Sequence, residues 1–182
     1  MRPEPLPSGA VRPALPEDAG ALARAHVASW RAAYAGLMPE ALLAGFTVEA
    51  REGRWREILG RDAPGERTFV ATGAGGILGF VSTGPSRDQG AGAGEAEVYG
   101  LYLDPGAWGL GLGRALFAAA VADLRERGRV RVTLWVLEGN ARGRGFYEAR
   151  GMRADGGFKV EVEEGVELPH VRYALALGGE GG

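Results

Sequence analysis

The residues with the clearest chemical potential run from Leu101 to Arg114. The order is Leu101-Tyr102-Leu103-Asp104-Pro105, then Trp108-Gly109-Leu110-Gly111-Leu112-Gly113-Arg114. An extended stretch enters a glycine-rich turn, and a helix leaves it. Glycine lets the backbone take positive φ and approach a ligand closely. The free N–H groups of a first helical turn, backed by the macrodipole, form an anion site. The ligand this pattern suits carries a phosphate or diphosphate. Two nucleotide-binding patterns fit badly. A dinucleotide turn wants G-x-G-x-x-G and an acidic residue about 20 positions on. Here the spacing after Gly109 is G-x-G-x-G, and Thr133 stands where the acid belongs. A Walker loop requires Gly-Lys-Ser/Thr, which does not follow. A glycine-rich turn that binds nothing is the plain alternative.

The elements around this turn follow from local patterning. A first strand is expected near Ala10–Leu15, then a helix capped by Asp18 and running to about Tyr34. Pro39 suits the start of a second short helix, and Thr47 the cap of a third ending near Gly60. Thr68–Ala71 and Ile77–Ser82 read as a hairpin around Gly73–Gly76. Gly84–Gly94 reads as a mobile loop. A strand follows at Glu97–Leu103, a helix at Arg114–Arg127 and a strand at Arg131–Leu137. A short helix then spans about Ala141–Arg150, ended by Gly151. Two last strands lie near Phe158–Val162 and Val171–Leu177. Strands and helices alternate only in the second half, which predicts a mixed sheet. The whole chain, 1–182, reads as one domain with loose tails at 1–9 and 178–182.

Composition narrows the chemistry further. The 182 residues carry a net charge of -2, with 46% hydrophobic and 24% charged residues. That balance lacks the basic footprint of a nucleic-acid binder. Cysteine is absent, which excludes disulfides, thiolate metal sites and an acyl-cysteine intermediate. His26 and His170 are the only histidines, so no metal site is expected. No apolar run is long enough to span a membrane, and Met1–Pro7 lacks the apolar region of a secretory signal. The expected location is the cytoplasm.

The turn resembles the central motif of the GNAT family of acyl-CoA N-acyltransferases, Gln/Arg-x-x-Gly-x-Gly/Ala, here Trp108-Gly109-Leu110-Gly111-Leu112-Gly113. The likeness continues through Asn140-Ala141 and Phe146-Tyr147-Glu148-Ala149-Arg150-Gly151-Met152. It is strongest across Glu97–Met152, with weaker matches at Trp30, Tyr34 and Pro39. Two positions depart from the pattern: Trp108 replaces the usual Gln or Arg, and Leu110 an often basic residue. Arg114, Arg142 or Arg144 are the candidates to supply the missing charge.

The resemblance implies an α/β (α+β) fold whose mixed, mostly antiparallel sheet is splayed and flanked by helices. It implies acetyl-CoA as cofactor, its diphosphate on the turn and its pantetheine arm in the splay. Backbone groups of Leu101 and Leu103 would pair with the arm as an added strand would. The implied cofactor-binding set is Leu101, Tyr102, Leu103, Trp108, Gly109, Leu110, Gly111, Leu112, Gly113, Arg114, Asn140, Arg142, Phe146 and Tyr147. The implied reaction is direct attack of a primary amine in a ternary complex. An alkylammonium of pKa roughly 10 must first lose its proton. Glu97 is the leading base, with Glu95 and His170 as alternatives. Tyr147 is the acid for the departing thiolate. Trp30, Tyr34 and Tyr99 are the expected substrate-binding residues.

Each assignment has a plain competitor. Phe146-Tyr147 could be a packing pair, Asn140 a helix cap, and Glu95 and Glu97 solvated residues. His170 could be a surface histidine, and His26, Trp30 and Tyr34, at i, i+4 and i+8, a core stripe. The acceptor is left open among polyamines, amino sugars or antibiotics, amino acids and protein N-termini. Homodimerisation through a C-terminal sheet edge is a further expectation. A non-catalytic acyl-CoA sensor of the same fold and a nucleotide-binding module are the competing functions.

Overall fold

A computed structural model describes residues 11–178. Seven strands and five α-helices follow in the order β1 (Val11–Pro13), α1 (Ala19–Tyr34), α2 (Glu40–Gly45), α3 (Val48–Gly60), β2 (Arg67–Gly73), β3 (Gly76–Pro85), β4 (Glu95–Leu103), α4 (Leu112–Glu126), β5 (Arg131–Leu137), α5 (Ala141–Glu148), β6 (Arg153–Glu163) and β7 (Val166–Ala176). Ala10, residues 1–9 and residues 179–182 lie outside the described part.

The strands form one sheet in the order β1-β2-β3-β4-β5-β7-β6. Every pairing is antiparallel except β4 with β5. That parallel pair holds only from Glu95–Glu97 against Arg131–Thr133, and beyond it the strands part. The sheet is therefore mixed, mostly antiparallel and splayed, as expected.

Helices cover both faces. Leu112, Leu116, Phe117, Ala120, Val121 and Leu124 recur every three or four residues on α4 and pack on Val81, Ala96, Val98, Val132 and Leu134. Arg114, Ala118, Ala122 and Arg125 fall on the opposite, exposed side. Leu116 is fully buried, so Leu116→Ala would cost about 2–5 kcal/mol. On the other face, Leu22 and Ala23 of α1 meet Trp55 of α3, Val70 and Phe80.

A bulge in β4 decides which side chains face which layer. Thr83 pairs with Val98 and Ser82 with Gly100, leaving Tyr99 as the extra residue. Ala96 and Val98 point to the α4 layer, and so do Leu101 and Leu103. Plain alternation would have sent Leu101 and Leu103 the other way. Tyr102 instead joins Phe80 on the α1 side.

Two local expectations need correction. Asp18 does not cap α1 through its side chain. Its carboxylate accepts from the Leu15 N–H at 2.8 Å and takes both terminal nitrogens of Arg12, at 2.7 and 2.9 Å. That Arg12 contact holds the Asp18 carboxyl below its usual range. The loop expected to be mobile is tied down. β3 runs on to Pro85, Arg87 reaches Glu97, and Asp88 accepts from Trp135 at 2.8 Å and Arg172 at 3.0 Å. Strands β6 and β7 are also longer than expected. Asp155, in the polar start of β6, anchors there by pairing with Arg131 and Arg172.

Candidate active site

Two cavities meet at β4. A cleft of about 440 Å³ opens where β4 and β5 part, walled by the glycine turn, the start of α4 and α5. A broader cavity of about 1400 Å³ runs from His26 and Trp30 of α1 and the inner side of α3 along residues 61–69 to Ala119, Ala122, Asp123 and Glu126 of α4. Tyr99, Gly100 and Tyr102 line both.

The cleft has a free backbone edge. The Asp104 N–H donates to Leu78 on β3 at 2.7 Å. Backbone groups alternate in direction along a strand, so the Leu101 and Leu103 N–H groups face the gap. The Leu103 carbonyl already accepts from the Trp108 ring nitrogen at 3.0 Å. Of the two Leu103 groups expected to serve a ligand, the N–H is the open one.

The turn is built as the sequence implied. Gly109 and Gly111 both take φ of 81°, a region costly for other residues. Ala115 is the first residue of α4 whose N–H reaches back, to Gly111 at 3.1 Å, and no side chain caps the helix. The N–H groups of Leu112, Gly113 and Arg114 are left without helical acceptors, and these three residues line the cleft. A Cβ at Gly113 would come within 3.0 Å of Leu103 and 3.1 Å of Phe146. Glycine there lets the helix start lie close against β4 and α5.

Three guanidinium groups surround that helix start. Arg114, Arg142 and Arg150 line the cleft, and none has a carboxylate partner among the described residues. Arg142 lies 3.6 Å from the Trp108 ring centroid. The tryptophan that replaces a polar residue of the motif thus holds a cation by its face. Arg144 turns away, to the Tyr173 hydroxyl at 3.1 Å and the Glu138 carbonyl at 3.2 Å. Arg150 was not foreseen. It stacks on Phe146 at 3.9 Å and bonds the Phe146 carbonyl at 2.7 Å. Its spacing of four residues from Phe146 was the available signal. Leu110 is 53% exposed and does not line the cleft.

Asn140 does what its competitor reading required and still lines the cleft. Its Oδ1 accepts from the Gly143 N–H at 2.9 Å, starting α5. Phe146 and Tyr147 pack on Phe117, and both also line the cleft. Burial raises the Tyr147 phenol well above its ordinary range, with Tyr34 adding to the shift. The Tyr34 and Tyr102 hydroxyls stand 3.2 Å apart, so three phenols gather where the cleft meets β4.

The proposed bases lie elsewhere. Glu97 is 3% exposed and lines neither cavity. Arg87 covers it, through the backbone N–H at 2.9 Å and the guanidinium at 2.5 and 3.3 Å. Glu95 pairs with Arg131 at 3.2 Å. His170 bonds the Leu168 carbonyl at 2.8 Å, opposite Leu137 on β5, and lines neither cavity. Among the expected substrate residues, Tyr34 lines the cleft, Trp30 the broad cavity and Tyr99 both. Tyr99 donates to the Pro85 carbonyl at 2.8 Å, and its ring carries Arg87 at 4.0 Å. Among the described residues no cluster of His, Asp or Glu could hold a metal ion, and no helix is long and apolar enough to cross a membrane.

Several known acetyltransferases resemble this chain. The uncharacterized N-acetyltransferase YuaI of Bacillus subtilis is 34% identical over 131 residues, 71% of this chain and 72% of that protein. The mycothiol acetyltransferase of Beutenbergia cavernae is 52% identical over 59 residues, 32% of this chain and only 20% of that longer protein. The structure of the PaiA N-acetyltransferase from Thermoplasma acidophilum, in complex with coenzyme A, superposes with a TM-score of 0.68 at 23% identity. It covers 88% of this chain and 96% of its own, a likeness of fold. The sequence model of the acetyltransferase (GNAT) family matches residues 30–152, so this chain belongs to the GNAT family of acetyltransferases.

Proposed function

We propose that the chain transfers an acetyl group from acetyl-CoA to a primary amine by direct attack in a ternary complex. The observation that carries this reading is the cradle at the start of α4. Uncapped N–H groups and Arg114, Arg142 and Arg150, none with a carboxylate partner among the described residues, line one cleft, and such a set suits a polyphosphate. The fold neighbour in complex with coenzyme A supports the same choice.

When bound, acetyl-CoA supplies the activated acetyl thioester. The chain's own groups divide the remaining work. The turn amides and Arg142, on its Trp108 shelf, hold the phosphates. The Leu101 and Leu103 N–H groups orient the pantetheine arm as a strand edge does. Tyr147 holds a proton at the cleft, and its raised pKa keeps that proton in place through neutral pH. A homodimer is part of the same proposal. Phe158, Val160 and Val162 stand exposed in alternation on β6, at the free edge of the sheet, and sedimentation would detect the pairing.

Calorimetric titration with acetyl-CoA, coenzyme A, NAD and ATP tests the cofactor. Selective binding of the first two is the expected result. Binding of ATP or NAD instead, or of none, would overturn the proposal. A thiol-release assay with an amine panel then tests for transfer.

A further inference from the structure

The broad cavity holds a cation that the fold leaves unanswered. Arg51 of α3 lines it, half-buried, with its guanidinium carbon 4.4 Å from the Phe46 ring centroid. Its Nε is buried without a hydrogen-bond partner. Other arginines on this wall have partners: Arg54 pairs with Glu57, Arg61 with Glu66 and Arg87 with Glu97. Arg67 forms no such pair but is exposed, so water covers it. Withdrawing part of a guanidinium, here its Nε, from water without a partner carries a cost. A ligand carrying a counter-charge removes the cost.

The surroundings of Arg51 are apolar. Trp30 stacks on Phe46 with ring centroids 4.6 Å apart. Trp55, Phe80 and Tyr102 complete the wall around His26. The His26 Nδ1 is a second buried atom with no partner. Burial, and then the charge of Arg51, lower the His26 pKa to about 3, so the imidazole stays neutral and adds no charge. Of the carboxylates that line the cavity, Glu66 is taken by Arg61 and Asp123 by Arg127, while Asp62, Glu126 and Glu163 are exposed.

We propose that this cavity is the acceptor pocket and that it selects an amine which also bears a carboxylate on a hydrophobic frame, with Arg51 as the carboxylate's partner. The aromatic wall takes the hydrocarbon, and the amine lies towards β4. The cavities share Tyr99, Gly100 and Tyr102 there, with the Tyr102 ring lying against Gly100. Polyamines and basic antibiotics would bring like charge to Arg51. The inference rests on the acetyl-transfer reading and narrows its acceptor class.

The test compares carboxylated amines with their decarboxylated twins: phenylalanine with phenethylamine, leucine with isoamylamine, and spermidine as a polycation. Wild type and Arg51→Gln are assayed with acetyl-CoA. The expected wild-type preference in kcat/KM for the carboxylated twin is on the order of tenfold or more. In Arg51→Gln the preference collapses through KM, while the KM for acetyl-CoA and the melting temperature hold. Equal use of the twins, preference for spermidine, or an equal loss on both twins in the variant would overturn the inference and leave the enzyme reading intact. If none of these amines turns over, quenching of Trp30 and Trp55 fluorescence decides. Saturable quenching by phenylalanine that Arg51→Gln abolishes upholds the pocket while the catalytic reading fails; its absence overturns the pocket.

Discussion

On the cleft side of β4 the anion-binding part of the surface is mostly backbone, drawn from one stretch of chain. Leu103, the Gly109–Gly113 turn and the first amides of α4 are neighbours in sequence, while Ala32, Ala33 and Tyr34 of α1, Leu134, Trp135 and Val136 of β5 and residues of α5 complete the walls. On the α1 side the surface is side chains gathered from distant segments: Trp30, Phe46, Arg51, Phe80 and Tyr102. The first surface depends on glycine conformation and orphan amides, which many sequences can present. The second depends on the size and charge of each side chain. A fold can therefore keep one ligand on the cleft side and change the other by substitution on the α1 side.

The comparison is most exposed to failure at Tyr147, which lines the cleft near the Tyr34 and Tyr102 phenols. Tyr147→Phe should lower kcat by on the order of a hundredfold or more, with the KM for acetyl-CoA unchanged. The sign of its pH dependence follows from the shift. A raised phenol pKa keeps the proton on through the neutral and mildly alkaline range. Wild-type kcat should therefore show no alkaline decline from Tyr147 until above about pH 10. Full turnover in the variant would move the acid to another group and leave Tyr147 as packing on Phe117.

Gly111→Val tests the backbone half alone. A β-branched residue at φ of 81° is strained, by about 1–2 kcal/mol, and must turn the Leu112 amide. Affinity for coenzyme A should fall on the order of tenfold by calorimetry. Phenylalanine quenching of the α1-side tryptophans should persist. Loss of both would mean that the two surfaces are one cooperative unit.

Trp108→Leu asks less. It removes the ring under Arg142 and the donor to the Leu103 carbonyl. An exposed cation–π contact is worth about 0.5–1 kcal/mol, so coenzyme affinity should fall about threefold to fivefold. An unchanged affinity would show that Arg114 and Arg150 suffice.

The same division explains what could be read from the sequence. The glycine turn, the α4 stripe from Leu112 to Leu124 and the Asn140 and Phe146-Tyr147 spacing are local patterns, and each marked its element. The β4 bulge at Tyr99 has only Gly100 as its local mark, and that mark does not fix the register, so the rotation of Tyr102 into the α1 layer was not legible. The partners of Asp18 and Asp88 were hidden for a related reason. Asp18 looked like a cap, but bidentate pairing with Arg12 outcompetes the cap, and Arg12 lies on another element. Arg51 shares its helix with exposed Arg54 and Arg56, and nothing local in the sequence sets it apart from them. Its contact with Phe46 depends on how α2 leads into α3. Arg150 lies just past α5, and only its spacing of four residues from Phe146 pointed to the cleft.

Glu97 offers the smallest expected effect and the sharpest test of the division. As a base it would have to reach water beside the thioester. As it stands, its carboxylate is buried under Arg87, whose guanidinium in turn lies on the Tyr99 ring. That arrangement makes Glu97 a positioning residue, one that fixes Tyr99 at the junction of the two cavities. Glu97→Gln keeps the shape and part of the hydrogen bonding. Losing the charge weakens a charge-assisted contact by about 1 kcal/mol. The acceptor KM should rise about threefold, kcat should hold, and the acid limb of the kcat/KM profile should stay where it is. A base would behave differently, because its removal takes out a proton transfer worth roughly a hundredfold in rate and abolishes that limb. The two roles predict different parameters, so one pH series on one variant separates them.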